Sequence, residues 1–80
     1  MATVHFSSDL AAFTAGLQEV TVAAPRVQEL KRSLVRRFPA LEGRLDLLAV
    51  AIDGDIYNEA DYRSLRDDSE VHFVPRTVGG

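Results

Sequence analysis

Residues 47–52, LLAVAI, form an apolar run closed on its C-terminal side by Asp53-Gly54. Six residues fall far short of the ~18 that a membrane span needs. So apolar a run cannot stay wet on either side, which marks it as the most buried strand of a sheet. Asp-Gly is a strong two-residue turn signal, and Ile52 and Ile56 flank it, so a short returning strand is expected through Asn58. A sheet built around 47–52 needs further strands beside it and a cover on one face. The chain must supply these from 80 residues that include no cysteine and are 46% apolar. At this length folding buries roughly 60–65% of the open chain's surface, enough for one domain with one modest core.

The remaining elements follow from periodicity. Thr3–Phe6 alternates, Val4 and Phe6 against Thr3 and His5, as a strand does. Gln18–Ala23 alternates again, with Val20 and Val22 on one side. Ser7 to Gly16 connects the two as a long hairpin loop, with Leu10 and Phe13 tucked against the core. Val27, Leu30, Leu34, Val35 and Phe38 recur at helical spacing. Pro25 suits the first turn of that helix. Arg36 and Arg37 suit its C-terminal end, and Pro39 stops it. The opposite, wet face carries Arg26, Glu29, Lys31, Arg32, Arg36 and Arg37. Leu41 to Asp46 can hold one short turn, with Leu41 and Leu45 as plugs. Ala60–Asp68 is a polar loop that Tyr62 and Leu65 pin to the core, and Asp67-Asp68-Ser69 makes a turn. Glu70–Pro75 is a last strand, Val71 and Phe73 facing one way, His72 and Val74 the other.

The order strand, strand, helix, strand, short strand, strand describes an α+β domain over residues 1–75. Its first and last strands lie parallel at the sheet centre and the helix packs across one face. Residues 76–80, RTVGG, lack apolar periodicity and are expected to form a flexible C-terminal tail.

Composition excludes several functions. Without cysteine there is no disulfide framework, thiolate nucleophile or thiolate metal site. His5 and His72 are too few for a catalytic zinc centre unless carboxylates complete it, and no metal site is expected. A net charge of −3 argues against nucleic acid as a partner. The aspartates Asp53, Asp55, Asp67 and Asp68 lack a calcium-loop pattern and belong to turns. No Ser/His/Asp order, phosphate-binding glycine loop or paired-carboxylate cleft stands out, so an enzyme acting alone is not expected. The start, MATVHFSSDL, lacks a signal peptide's basic-then-apolar plan; no membrane contact and a cytoplasmic location are expected. Charge is uneven, with residues 1–44 carrying +2 and residues 45–80 carrying −5, so the second half could be steered towards a basic partner.

This order of elements, ending in a strand and a Gly-Gly, resembles the ubiquitin-like β-grasp fold over the whole chain. The last eleven residues, EVHFVPRTVGG, resemble the ending of the MoaD/ThiS-type bacterial sulfur carriers, which are the small subunit of molybdopterin synthase and its thiamine-pathway relatives. LLAVAIDGDIY resembles that family's strand-turn-strand. Asp53 stands where the family commonly has asparagine, and Arg76 follows Pro75 where a smaller or apolar residue is usual. Val71, His72, Phe73 and Val74 also match the last strand of ubiquitin.

The resemblance implies a chemistry centred on Gly80. A carboxylate is a poor acyl donor, since it is anionic and would have to expel oxide. ATP bound to a ubiquitin-activating-type adenylyltransferase converts it to an acyl adenylate with loss of pyrophosphate. Sulfide, or a persulfide with a second thiol to cleave the acyl disulfide it forms, then displaces AMP and leaves a thiocarboxylate. Glycine suits both ends of this step, because Gly79 and Gly80 can thread a narrow channel and leave the carbonyl open on both faces. The chain itself would bind no cofactor, ATP being consumed on the partner. The implied recipient is a synthase subunit of the molybdopterin synthase large-subunit type. Carriers for thiamine or cysteine synthesis remain open, as does a protein modifier joined to lysines through Gly80. Docking is implied at His72, Val74, Pro75 and Arg76, continuing along Thr77 and Val78.

Overall fold

The computed structural model describes residues 1–76. Its elements are β1 (Ala2–His5), α1 (Ser8–Ala11), β2 (Glu19–Val22), α2 (Val27–Arg37), β3 (Leu48–Ile52), β4 (Asp55–Tyr57) and β5 (Glu70–Pro75). Two 3₁₀ turns, Pro39–Leu41 and Leu45–Leu47, lie between α2 and β3. The five strands form one sheet in the order β2-β1-β5-β3-β4. β1 and β5 run parallel at its centre and every other pair is antiparallel. This mixed sheet with one main helix across it is the β-grasp arrangement the sequence implies.

The core lies between the sheet and α2. Val4, Val20, Val22, Val50, Ile52, Val71 and Phe73 line the inner face and are buried, as Val27, Leu30 and Leu34 are on the helix. Leu41, Leu45 and Leu10 close the edges as plugs. β3 is buried at Ala49, Val50 and Ile52 and exposed at no position, as its composition requires. Leu47 is the exception: it belongs to the preceding 3₁₀ turn and is 72% exposed. The β3–β4 turn takes the mirror-image form that matches strand twist, with φ of 50° at Asp53 and 95° at Gly54. Asp53 tolerates that conformation because its short polar side chain bonds locally. Its Oδ1 accepts the Glu70 amide at 2.9 Å and its own N–H donates to the Glu70 carbonyl at 2.9 Å.

Two expectations need correction. Pro25 is not in the first turn of the helix, which begins two residues later at Val27. The residues before it are drawn into an extended bridge, Arg26 pairing with Ser64 and the Pro25 carbonyl accepting the Leu65 amide. No side chain caps α2. Instead, the amides of Val27 and Gln28 donate to the carbonyls of Arg63 and Asp61, which satisfies two of the four orphan donors at a helix start. Tyr62 does not pin the 60–68 loop, being 80% exposed. Those backbone bonds hold the loop, together with buried Ala60, part-buried Leu65 and buried Ser69, whose Oγ accepts the Arg66 amide. The connection after β1 also contains a short helix, α1, whose fold-back is fastened by the buried Thr14 hydroxyl donating to the Leu17 carbonyl at 2.9 Å.

Candidate functional site

Among the described residues no helix lies over the sheet's second face. Strand alternation sends Thr3, His5, Glu19, Thr21, Ala51, Ile56, Glu70, His72 and Val74 to this side. Register then aligns one row across all five strands. His5 sits opposite Glu19 and His72, Ala51 opposite His72, and Ile56 opposite Ala51. The row is polar on the β2 side and apolar on the β4 side.

His5 and His72, expected on neighbouring strands and pointing away from the core, stack with ring centroids 4.4 Å apart and planes 12° from parallel. His5 Nε2 lies 3.0 Å from Glu70 Oε1, and Nδ1 lies 3.3 Å from Glu19 Oε1. Stacked rings direct their nitrogens sideways, and among the described residues no three His, Asp or Glu side chains are placed to hold a metal ion. The pair therefore forms a polar edge bracketed by the carboxylates of Glu19 and Glu70.

The apolar half consists of Ile56, 59% exposed, with part-buried Ala51 and Val74 on the neighbouring strands. Ala51 sits between Ile56 and His72 in the row, and Ala49, opposite Val74, is fully buried.

This half leads to the root of the C-terminal segment. Pro75 pairs with Leu48 at the last rung of β5 and β3. Arg76 then reaches back, its Nη2 donating to the Asp46 carbonyl at 2.8 Å and its Nη1 lying 3.8 Å from Glu59 Oε1. The carboxylate of Asp46 in turn accepts from Lys31 Nζ at 3.2 Å, and Lys31 also donates to Asp61 at 2.8 Å. Helix α2, the entry to β3 and the exit of β5 are thereby linked through a single residue, Asp46. Register puts His72 and Val74 on the open face and Pro75, opposite Leu48, on the helix side, while the Arg76 side chain turns to Asp46 and Glu59. Thr77, Val78, Gly79 and Gly80 lie outside the described residues.

Two carboxyls are held below their ordinary range. At Asp53 the main cause is the Glu70 amide, aided by the Arg66 guanidinium 3.5 Å away. At Glu29 it is the hydrogen bond from Arg26, 2.7 Å from Oε1. Both are turn or helix-start groups away from the row, where they stabilise local structure.

Composition could not show the bracketing of His5 by Glu19 and Glu70, since it depends on strand order. The Arg76–Asp46 bond was equally hidden. Lys31, read as part of the wet helix face, is instead only 13% exposed. Its one signal in the sequence is that no other lysine occurs.

Shape and sequence comparisons agree with the fold. The chain is similar to the solved structure of the BexX/CysO complex of Amycolatopsis orientalis, at 18% identity and a TM-score of 0.86, with all of both chains covered. It is similar to the small archaeal modifier protein SAMP1 of Methanosarcina acetivorans, at 21% identity and 0.81, covering 99% of this chain and 95% of that one. A complex of subunits 1 and 2 of the molybdopterin-converting factor of Helicobacter pylori matches at 19% identity and 0.67, covering 99% and 97%. No curated protein sequence matches the chain. At these identities the structures establish the β-grasp fold. The sequence model of the ThiS family, however, matches residues 5–80, nearly the whole chain, and the protein accordingly belongs to the ThiS family of ubiquitin-like sulfur carriers.

Proposed function

We propose that the chain is a sulfur carrier whose Gly80 carboxylate is adenylated by a ubiquitin-activating-type enzyme, converted to a thiocarboxylate and offered to a second protein. The observation that carries this reading is the ThiS-family match, which runs through the Pro75-to-Gly80 ending to the last residue. The open face supplies a docking surface beside that ending. Ile56, Ala51 and Val74 offer apolar area on that face, and the acidic second half steers a basic partner towards it. Arg76, the residue before Thr77, is tied to Asp46 and Glu59.

Molybdopterin synthesis is the recipient pathway we propose, with a synthase large subunit as acceptor. The ending EVHFVPRTVGG favours it, and the similar molybdopterin-converting factor was solved as a complex of two subunits. A second reading, a protein modifier conjugated through Gly80, is favoured by the likeness to SAMP1.

The test is reconstitution with ATP, the host's adenylyltransferase and a sulfide source. A mass gain of one sulfur-for-oxygen exchange at Gly80 is expected. Gly80→Ala should abolish the gain without altering the fold, and Ile56→Asp should weaken docking while leaving the fold intact. The molybdopterin assignment fails if the loaded protein transfers no sulfur to a molybdopterin precursor in the presence of the large subunit. Conjugates on other proteins' lysines, with no free thiocarboxylate, would put the modifier reading first.

A further inference from the structure

An activated Gly80 is an acyl electrophile, and amines are its natural competitors. The chain contains nine basic side chains, and eight of them are arginine. A guanidinium stays protonated at any physiological pH and does not accept acyl groups under these conditions. Cysteine, the other strong acceptor, is absent. Lys31 is therefore the only side-chain amine through which one copy could be joined to the carbonyl of another.

Lys31 is placed where that reaction is blocked. It lies on α2 between buried Leu30 and exposed Arg32, its side chain 13% exposed. Its Nζ donates to Asp61 Oδ1 at 2.8 Å and to Asp46 Oδ1 at 3.2 Å. These carboxylates come from two separate segments, the 3₁₀ turn before β3 and the loop after β4, and both converge on one ammonium. Arg32 and Arg36 line the same open groove, about 460 Å³ in volume. The groove's freely exposed cations are thus the unreactive ones.

We propose that Lys31 is a withheld amine, so that the chain carries an activated end yet offers no side-chain amine to it and does not build lysine-linked chains of itself. This rests on the sulfur-carrier reading, and it excludes poly-modifier behaviour through lysine even if Gly80 is conjugated to other proteins. Aminolysis would need Lys31 to lose its proton and turn its lone pair on the Gly80 carbonyl carbon. The N–C bond would form, the C–O bond to AMP would break, and the proton would pass to solvent. Reaching that geometry breaks both charge-assisted hydrogen bonds and leaves Asp61 and Asp46 without their cation.

The test uses the full folded chain and N-hydroxysuccinimide acetate at neutral pH, with a short lysine peptide in the same tube as reference. Lys31 acetylation is followed by peptide mass spectrometry. Reaction roughly tenfold or more slower than the reference is expected, rising to the reference rate in urea. Asp46→Asn with Asp61→Asn should bring the folded protein close to the reference rate. If that variant does not fold, each single substitution should give an intermediate rate. Labelling of the wild type at the reference rate would overturn the proposal. So would a folded double variant as slow as the wild type. In a second arm the chain is prepared as a thioester at Gly80 and incubated with itself. Hydrolysis without Lys31-linked dimers is expected from the wild type, and dimers from the double variant; dimers from the wild type would again overturn it. Neither arm uses the host's adenylyltransferase, so failure of the carrier reading and failure of this one are separable.

Discussion

The two faces of the sheet are made from the same five strands and obey different rules. The inner face is Val, Ile and Phe against Val27, Leu30 and Leu34 of α2, and its energy comes from apolar area removed from water. The outer face carries a row running from Glu19 through His5, His72 and Ala51 to Ile56. That row is wet and lies on the side of the sheet without a helix. The difference teaches that a strand's alternation assigns each residue a face, while the meaning of the outer face comes from which strands become neighbours.

The contrast is broken most severely from the inside. Leu34→Ala empties a fully buried site and should lower stability by about 2–5 kcal/mol, read from the urea midpoint. Against the ~5–15 kcal/mol that a whole domain possesses, that is a large fraction. A smaller loss is expected at the β3–β4 turn. Gly54 has φ of +95°, so Gly54→Ala should cost about 1–2 kcal/mol with no new contact made.

Asp53 gives a pH-dependent test beside the same turn. Its folded pKa is lowered by the Glu70 amide and Arg66. The stability this contributes is fully present above the ordinary aspartate value, ~3.9. It is lost as pH falls from there through the lowered folded value. Asp53→Asn should therefore flatten the acid side of a melting-temperature profile, leaving the slope near neutrality unchanged. The smallest effects belong to the outer row. His72→Ala or Ile56→Asp should shift stability by no more than about 0.5 kcal/mol. A loss as large as that of Leu34→Ala would mean that the outer face is a second core.

Much of this was legible in the sequence. Alternation located β1, β2 and β5, helical spacing found α2, and Asp53-Gly54 placed the β3–β4 turn. Each is a local pattern that only one structure satisfies. What stayed hidden involves partners distant in sequence. Pro25 fits a helix start, yet bonds from the 63–65 backbone draw it into an extended bridge. Tyr62 has the apolar bulk to anchor a loop, but the amides at the start of α2 had already fixed that loop. Lys31 looked solvated because helical spacing cannot show Asp46 and Asp61 folding over it. The ending was the clearest functional signal, and it is read by family likeness, since the chemistry proposed at Gly80 would take place on a partner enzyme.

The central claim is that this domain exists to present Gly80 as a sulfur carrier. Its most direct test is an intact mass of the protein purified gently from its own host, without reducing agent or alkylation. The expected result is a fraction heavier by one sulfur-for-oxygen exchange that maps to Gly80. A mass matching the bare chain alone, unchanged after incubation with ATP, the host's adenylyltransferase and sulfide, would contradict it.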